Sequence, residues 1–92
     1  MDAIRISRQL CKDVDRLRFE PPTAFVYNPL DYASSAVEQY LDRWASPGID
    51  VLLLGMNPGP WGMAQTGIPF GEVNAVREYL GIDAEIRKPA IE

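Results

Sequence analysis

The sequence contains no histidine and a single cysteine, Cys11. These two side chains supply most zinc sites, and histidine is the commonest general acid or base at neutral pH. The chain by itself therefore cannot form an internal disulfide or a four-cysteine zinc or iron–sulfur site. Any metal site would consist of carboxylate and carbonyl oxygens alone, and we expect neither a metal nor another cofactor.

Long apolar runs are also absent. No apolar run exceeds four residues, whereas a membrane-spanning helix needs about 20. The first 17 residues, "MDAIRISRQLCKDVDRL", mix charged with apolar side chains where a signal peptide has an apolar core. We therefore expect no membrane partner, and a cytosolic, reducing environment is the default.

Positive charge is in deficit, since 9 Lys and Arg face 13 Asp and Glu and the net charge is −4. Binding to nucleic acid by charge alone needs an excess of Lys and Arg, so the chain by itself is not expected to hold DNA tightly. The 47% apolar and 24% charged residues are ordinary for a globular protein. A length of 92 residues permits one small domain.

Apolar residues at helical spacing predict three helices, over Ala3–Leu17, Ala33–Trp44 and Val73–Leu80. The first helix is amphipathic, with its apolar side chains on one face. The opposite face carries a basic stripe, for which a solvated face is favoured over a phosphate-binding one. The stripe consists of Arg5, Arg8, Lys12 and Arg16. Gly81 stands where a left-handed helix end would follow the third helix.

Between the second and third helices, residues Asp50–Met56 contain the unbroken apolar run "VLLL". Such a run is typical of a strand buried on both faces, as in the middle of a parallel sheet. The predicted fold class is therefore α/β, with the chain a fragment of a three-layer α/β/α sandwich that contains a parallel sheet. The chain offers no second convincing strand, although a parallel neighbour requires one.

A glycine- and proline-rich loop, "GMNPGPWGMAQTGIPFGEV", follows the predicted strand. Ligands of open α/β folds bind at this end of the strands. The glycine spacing fits neither the dinucleotide fingerprint nor the phosphate-binding P-loop, which needs a Lys after its last glycine. The loop instead provides aromatic rings at Trp61 and Phe70 and amides at Asn57 and Gln65. Rings stack on bases and amides read their edges, so the loop suits a base better than a phosphate.

This loop, with "VYNPLDYA" before it and "VREYLGI" after it, resembles the single-strand-selective monofunctional uracil-DNA glycosylases. The similarity runs from about Leu17 to Ile82, and Trp61 stands where relatives often carry Phe. The resemblance implies that residues 1–92 are the N-terminal part of a single domain of that superfamily. It implies hydrolysis of the N-glycosidic bond of a flipped uracil in base excision repair, on single- or double-stranded DNA. It further implies a protein that is a monomer when complete, in the bacterial cytoplasm or nucleoid or in the eukaryotic nucleus.

The resemblance also implies roles for five residues of the loop. Asn57 would be catalytic, with its side-chain oxygen positioning the attacking water. Phe70 would stack on the uracil ring, and the backbone amide of Met56 would approach a uracil carbonyl. Met63 would line the water site, and Gly59 would leave room that a side chain would fill. Without the resemblance, Asn57 is more simply a turn residue and Phe70 a core residue.

Family members extend well beyond these motifs, to an asparagine that reads the uracil edge and to a histidine-containing "HPSP"-type motif. Neither occurs in the chain, so we expect the 92 residues to be weakly active or inactive alone. Two alternatives remain open. The chain could be a non-catalytic fragment that binds a partner, or an α/β module that binds a phosphorylated small molecule on its glycine-rich loop.

Overall fold

The structure is a computed structural model and describes residues 2–88. The helical elements are α1 Ala3–Asp15, α2 Pro29–Tyr32, α3 Ser34–Trp44, α4 Met63–Thr66 and a π-helical turn Ala75–Tyr79. Residues 2–88 contain no strand. Within the same range, no helix is long and apolar enough to cross a membrane.

Helix α1 confirms the first predicted helix and ends at Asp15, two residues before the predicted Leu17. The Oδ1 atom of Asp2 accepts a hydrogen bond from the backbone N–H of Ile4 (2.9 Å) and so caps the first turn. Its apolar face is not buried: Ile6 and Leu10 are about half exposed, and no residue of α1 is buried. Helical spacing predicts that the helix is amphipathic, but not what covers its apolar face.

The basic stripe of α1 is partly neutralised within the protein. The guanidinium of Arg8 donates to both carboxylate oxygens of Glu38 on α3, at 2.6 and 3.1 Å. This hydrogen bond and the charge of Glu38 raise the pKa of Arg8. Arg16 pairs with Asp13 one turn away. These two pairs fit the solvated-face interpretation and leave less positive charge for a phosphate.

Asn28 links α1 to α2. Its Oδ1 atom accepts from the N–H of Leu30 (3.2 Å), and Pro29 occupies the first helical position, where a missing N–H costs nothing. Its Nδ2 atom donates to the Cys11 carbonyl (3.1 Å) and to Asp15 Oδ1 (2.8 Å). Helix α3 confirms the second predicted helix to within one residue at its start, since Ser34 rather than Ala33 begins it.

The core lies between α3, the glycine-rich loop and the segment that follows that loop. Its buried residues are Ala36, Ile68, Val76 and Ile82, and the partly buried Tyr40, Leu80 and Ala84 pack against them. The third predicted helix is found as residues 73–74 and the π-helical turn. Gly81 follows it with a φ of +67°, the left-handed conformation that was predicted.

The predicted parallel sheet is wrong for residues 2–88. Residues 50–55 are not helical, and no backbone hydrogen bond joins them to another described segment. The side chains of Val51–Leu54 are 74–89% exposed. A strand exists only through hydrogen bonds to a neighbouring strand, and no other segment of the described chain forms such bonds with this one. The run "VLLL" predicts an extended conformation, but it does not show that a second strand is present to pair with it. The predicted three-layer α/β/α sandwich is therefore not observed in residues 2–88.

Gly67 brings the loop into close contact with α3. It ends α4 with a φ of +73°, which favours glycine. A Cβ atom at this position would lie 2.4 Å from Cγ2 of Val37 and 3.2 Å from Cβ of Ala33. The backbone therefore crosses α3 at a distance that only glycine allows, and this contact precedes the fully buried Ile68.

We predict that Gly67→Ala destabilises the fold more than Gly81→Ala does. Both glycines have similar positive φ values, but a Cβ at Gly81 meets nothing within 4 Å. Gly81→Ala should cost the left-handed penalty of about 1–2 kcal/mol, whereas Gly67→Ala adds about 1–3 kcal/mol of overpacking. Urea unfolding followed by circular dichroism measures both, and equal losses would show that the close contact with Val37 is absent in solution.

Candidate active site

The glycine-rich loop and the extended segment before it enclose an open cavity of about 720 Å³. All five residues to which the sequence assigned roles line it: Met56, Asn57, Gly59, Met63 and Phe70. Residues 52–55 form part of the same wall. The structure thus brings the predicted residues together, although their separation along the chain reaches 14 positions. Their chemical roles stay predictions.

The lining of the cavity is apolar and aromatic with few charges. Trp61 and Phe70 contribute rings, and Pro58, Pro60 and Pro69 contribute rigid turns. Among residues 2–88, Glu72 is the only charged residue in the lining, and no Lys or Arg takes part in it. A flat, uncharged ligand fits such a surface, since apolar walls with a few polar groups are typical of small-molecule sites. A phosphate would meet no positive partner there.

Asn57 has one half of its amide engaged. Its Nδ2 atom donates to the carbonyl of the next residue, Pro58, at 3.2 Å. No described group donates to its Oδ1 atom, so that oxygen has its acceptor capacity available. An amide oxygen accepts hydrogen bonds without titrating, and it can hold a water in a fixed position at any pH near neutrality.

Phe70 has a left-handed backbone, with a φ of +57° that is uncommon for an aromatic residue. Its ring points at Gly55, because a Cβ atom at Gly55 would lie only 3.3 Å from Cζ of Phe70. The ring is still 69% exposed, and it lines the cavity. Strained residues of this kind persist only where neighbouring contacts hold them.

Thr66 provides those contacts. It is 1% exposed, and its hydroxyl donates to the carbonyl of Gly71 at 2.7 Å. The same oxygen accepts from the N–H of Ile68 at 3.2 Å, while the N–H of Gly71 donates to the carbonyl of Ile68 at 2.8 Å. These three hydrogen bonds close the turn that carries Phe70. A Cβ at Gly71 would lie 2.7 Å from the Ile68 carbonyl oxygen, 2.8 Å from Cβ of Ile68 and 2.9 Å from Oγ1 of Thr66, so the turn also requires glycine there.

Two further side chains fix the other half of the loop. Gln65 donates through Nε2 to the Pro60 carbonyl at 2.9 Å. The Tyr32 hydroxyl donates to the Ala64 carbonyl, which ties α4 to α2. Burial, and to a lesser extent the nearby Tyr27, raises the pKa of Tyr32 above its usual value. Tyr32 therefore stays protonated, and remains a donor, through the neutral pH range.

Glu72 begins the last helical segment and closes one side of the cavity. Its two carboxylate oxygens accept from the backbone N–H groups of Asn74 (3.0 Å) and Ala75 (3.1 Å). These bonds satisfy free N–H groups at a helix start, where a negative charge is favourable. The carboxylate is thus committed to the backbone. No group of three or more metal-ligating side chains occurs among residues 2–88.

Sequence comparison gives the relatives of the chain. The single-strand selective monofunctional uracil-DNA glycosylase of Rattus norvegicus is 48% identical over 81 residues, which are 88% of this chain and 29% of that protein. Proteins of the same name from Mus musculus and Bos taurus are 47% and 46% identical over the same number of residues. The predicted resemblance is confirmed. No protein-family model matches the chain.

The chain spans less than a third of the length of these uracil-DNA glycosylase relatives. Their name describes an enzyme that acts on uracil in DNA with selectivity for single strands. The residues that line the cavity lie in the part of the chain that aligns with these relatives, over which the sequence identity is 47–48%.

Two contributors to the site were missed from the sequence. Thr66 received no role, although a Thr before a Gly in a loop is typical of a side chain that bonds the backbone two residues on. Glu72 also received no role, although an acidic residue directly before helical spacing is a common helix start. Both signals were present, but neither distinguishes this loop from an ordinary turn.

We predict that Thr66→Val disorders the turn that carries Phe70, whereas Thr66→Ser preserves it. Valine matches threonine in shape but leaves the Gly71 carbonyl and the Ile68 N–H without their partner, at a cost of about 1–3 kcal/mol for each buried group. Serine keeps the hydroxyl. Hydrogen exchange of the Ile68 and Gly71 amides measures the effect, and equal protection in both variants would contradict it.

Proposed function

We propose that the chain carries the catalytic loop of a uracil-DNA glycosylase, which acts in base excision repair on uracil-containing DNA. The enzyme would hydrolyse the bond between the base and the sugar of a uracil that has left the base stack. The observation that supports this proposal most is that five residues with expected roles line one cavity: Met56, Asn57, Gly59, Met63 and Phe70.

Asn57 is the proposed catalytic residue. In glycoside hydrolysis the transition state resembles an oxocarbenium ion, which needs an oriented water more than a strong base. The available Oδ1 atom of Asn57 would accept a hydrogen bond from that water and direct its lone pair at the anomeric carbon. The bond that breaks joins this carbon to the base nitrogen, and its electrons leave with the uracil. The proton that the attacking water loses passes to solvent, because the amide of Asn57 does not titrate. The Nδ2 bond to Pro58 fixes which half of the amide faces the water.

The base itself would lie against Phe70. The exposed ring offers a stacking surface, and stacking contributes about 1–3 kcal/mol per base. The backbone amide of Met56 would donate to a uracil carbonyl and stabilise the leaving anion. A Cβ at Gly59 would meet nothing within 4 Å, so the glycine leaves open space in the cavity wall. Met63, at the start of α4, would line the water side.

A phosphate-binding module is less well supported. The cavity has no Lys or Arg in its lining, and the one charged residue there is the acidic Glu72. A phosphate group needs cations or a row of free backbone N–H groups. The same observation favours an uncharged base.

One observation favours a second candidate, a non-catalytic segment that acts by binding another chain. The apolar side chains of Val51–Leu54 are 74–89% exposed, and their backbone is unpaired among residues 2–88. Exposed apolar segments of this kind are typical of interaction sites. This function would not need the side chain of Asn57.

We propose that the 92 residues alone release uracil slowly or not at all. The chain has no histidine, and no Lys or Arg lines the cavity to stabilise the departing anion. Electrostatic stabilisation of developing charge is usually the largest contribution to such a reaction. If the chain is eukaryotic, as its mammalian relatives are, the nucleus is the proposed location.

A chimera tests the proposal. The 81 residues of the rat relative that align with this chain would be replaced by the corresponding residues of the chain. We expect uracil release from a labelled single-stranded oligonucleotide. Asn57→Ala in the chimera should lower the rate by about 100-fold or more, because the water loses its position.

Asn74→Ala is the matched control, since Asn74 is an exposed asparagine whose side chain makes no hydrogen bond within the described residues. It should leave the rate unchanged. A folded chimera that binds the oligonucleotide but releases no uracil would overturn the proposal. Self-association of the 92-residue chain, abolished by Leu53→Lys, would then support the interaction segment.

A further inference from the structure

A second groove lies next to the candidate active site. It measures about 560 Å³ and is lined by Tyr27, Tyr32, Pro60, Ala64, Gln65, Ile86, Arg87 and Lys88. Pro60 belongs to the lining of both spaces. Pro60 is therefore a wall that the two spaces share.

The basic wall of the groove is fixed to α2. The backbone N–H of Arg87 donates to the Tyr32 carbonyl at 2.9 Å. The Arg87 guanidinium donates through Nη2 to the carbonyl (2.9 Å) and to Oδ1 (3.0 Å) of Asp31. These bonds hold the segment that carries Lys88. Asp31 offsets part of the charge of Arg87, whereas Lys88 forms no salt bridge with any described residue.

Tyr27 adds an aromatic surface to the same groove. Its ring stacks on that of Phe25, with centroids 6.4 Å apart and planes within 11° of parallel. Both rings are about half exposed. A pair of stacked, half-exposed rings presents a flat surface of the kind on which single-stranded bases stack.

The groove and the cavity differ in the charge of the side chains that line them. The cavity contains no Lys or Arg, but the groove beside it contains two. The chain as a whole is acidic, with a net charge of −4. The two cations of the groove therefore differ in sign from the average charge of the chain. Cations together with an aromatic surface are the two features that proteins use to bind single strands.

We propose that the groove binds the nucleotide next to the one whose base occupies the cavity. Tyr27 stacks on the neighbouring base, and Lys88, with Arg87, contacts the phosphate between the two nucleotides. This assignment rests on the proposed function for its ligand, a single DNA strand. A base stacked on Tyr27 is no longer stacked in a duplex, so the groove favours single-stranded DNA.

Fluorescence anisotropy with a labelled 12-mer of thymidine tests the groove in the 92-residue chain. Tyr27→Leu should weaken binding at least about fivefold, the lower limit for loss of one stacked base. Lys88→Ala should weaken binding and reduce the slope of log K against log salt by about 0.7, the value for one phosphate of a single strand. A duplex of the same sequence should bind more weakly than the single strand.

Two control variants lie outside the groove and the cavity. Lys12→Ala removes an exposed lysine of α1, and Tyr79→Leu removes an exposed tyrosine of the π-helical turn. Both should leave affinity and salt slope unchanged. The proposal is overturned if the Lys12 and Lys88 variants lose affinity equally, if Tyr27→Leu has no effect in a folded protein, or if the duplex binds as tightly as the single strand.

The oligonucleotide contains no uracil, so this test is independent of excision. Binding that depends on Tyr27 and Lys88, together with an inactive chimera, would support the groove and contradict the glycosylase assignment. The opposite result is an active chimera together with Tyr27 and Lys88 variants that bind the thymidine strand as tightly as the unchanged chain. It would support the glycosylase assignment and contradict the groove.

Discussion

The close contact between Gly67 and α3 is the constraint on which the rest of the site depends. Gly67 crosses Val37 at a distance that excludes any side chain, and the next residue, Ile68, enters the core. The chain must then turn sharply, and the Thr66 hydroxyl closes that turn through Gly71. Phe70 stands at the outer end of the turn with its ring facing Gly55. The exposed aromatic surface of the cavity is thus supported by buried contacts two to four residues before it.

Sequence reasoning predicted local features better than it predicted partners. Helical spacing and terminal residues placed α1 and α3 almost correctly, because both signals act within a few residues. The run Val51–Leu54 was read as a buried strand in a parallel sheet, and this was wrong for the described chain, since a sheet also requires a second segment at the right distance. The apolar face of α1 is exposed for a similar reason, because helical spacing predicts the face but not the segment that would cover it.

The residues of the candidate site were identified through the resemblance to uracil-DNA glycosylases, and not through periodicity or composition. The structure places Met56 and Phe70, 14 positions apart, in the lining of one cavity, and their roles stay predictions. The roles of Thr66 and Glu72 were not predictable in this way. Each acts through hydrogen bonds to backbone groups of Ile68, Gly71, Asn74 and Ala75. The positions of these groups depend on the packing of the buried Ile68 and Val76.

The charges are divided between the two neighbouring spaces. The apolar cavity suits a neutral base, and Glu72, the charged residue in its lining, is bound to backbone N–H groups. The cations lie beyond Pro60, where Arg87 and Lys88 line the groove. Asn57 does not titrate, so its proposed role in orienting water would not depend on pH near neutrality. Burial that keeps Tyr32 protonated makes the support of α4 similarly independent of pH in this range.

The cavity of this loop is proposed to bind a base and not a phosphate. Titration of the isotope-labelled 92-residue chain with free uracil, followed through its amide resonances, tests this proposal. We expect shifts of the Met56, Asn57, Gly59 and Phe70 signals with uracil, and none with ribose 5-phosphate at the same concentration. Shifts of these signals with ribose 5-phosphate and not with uracil would contradict it.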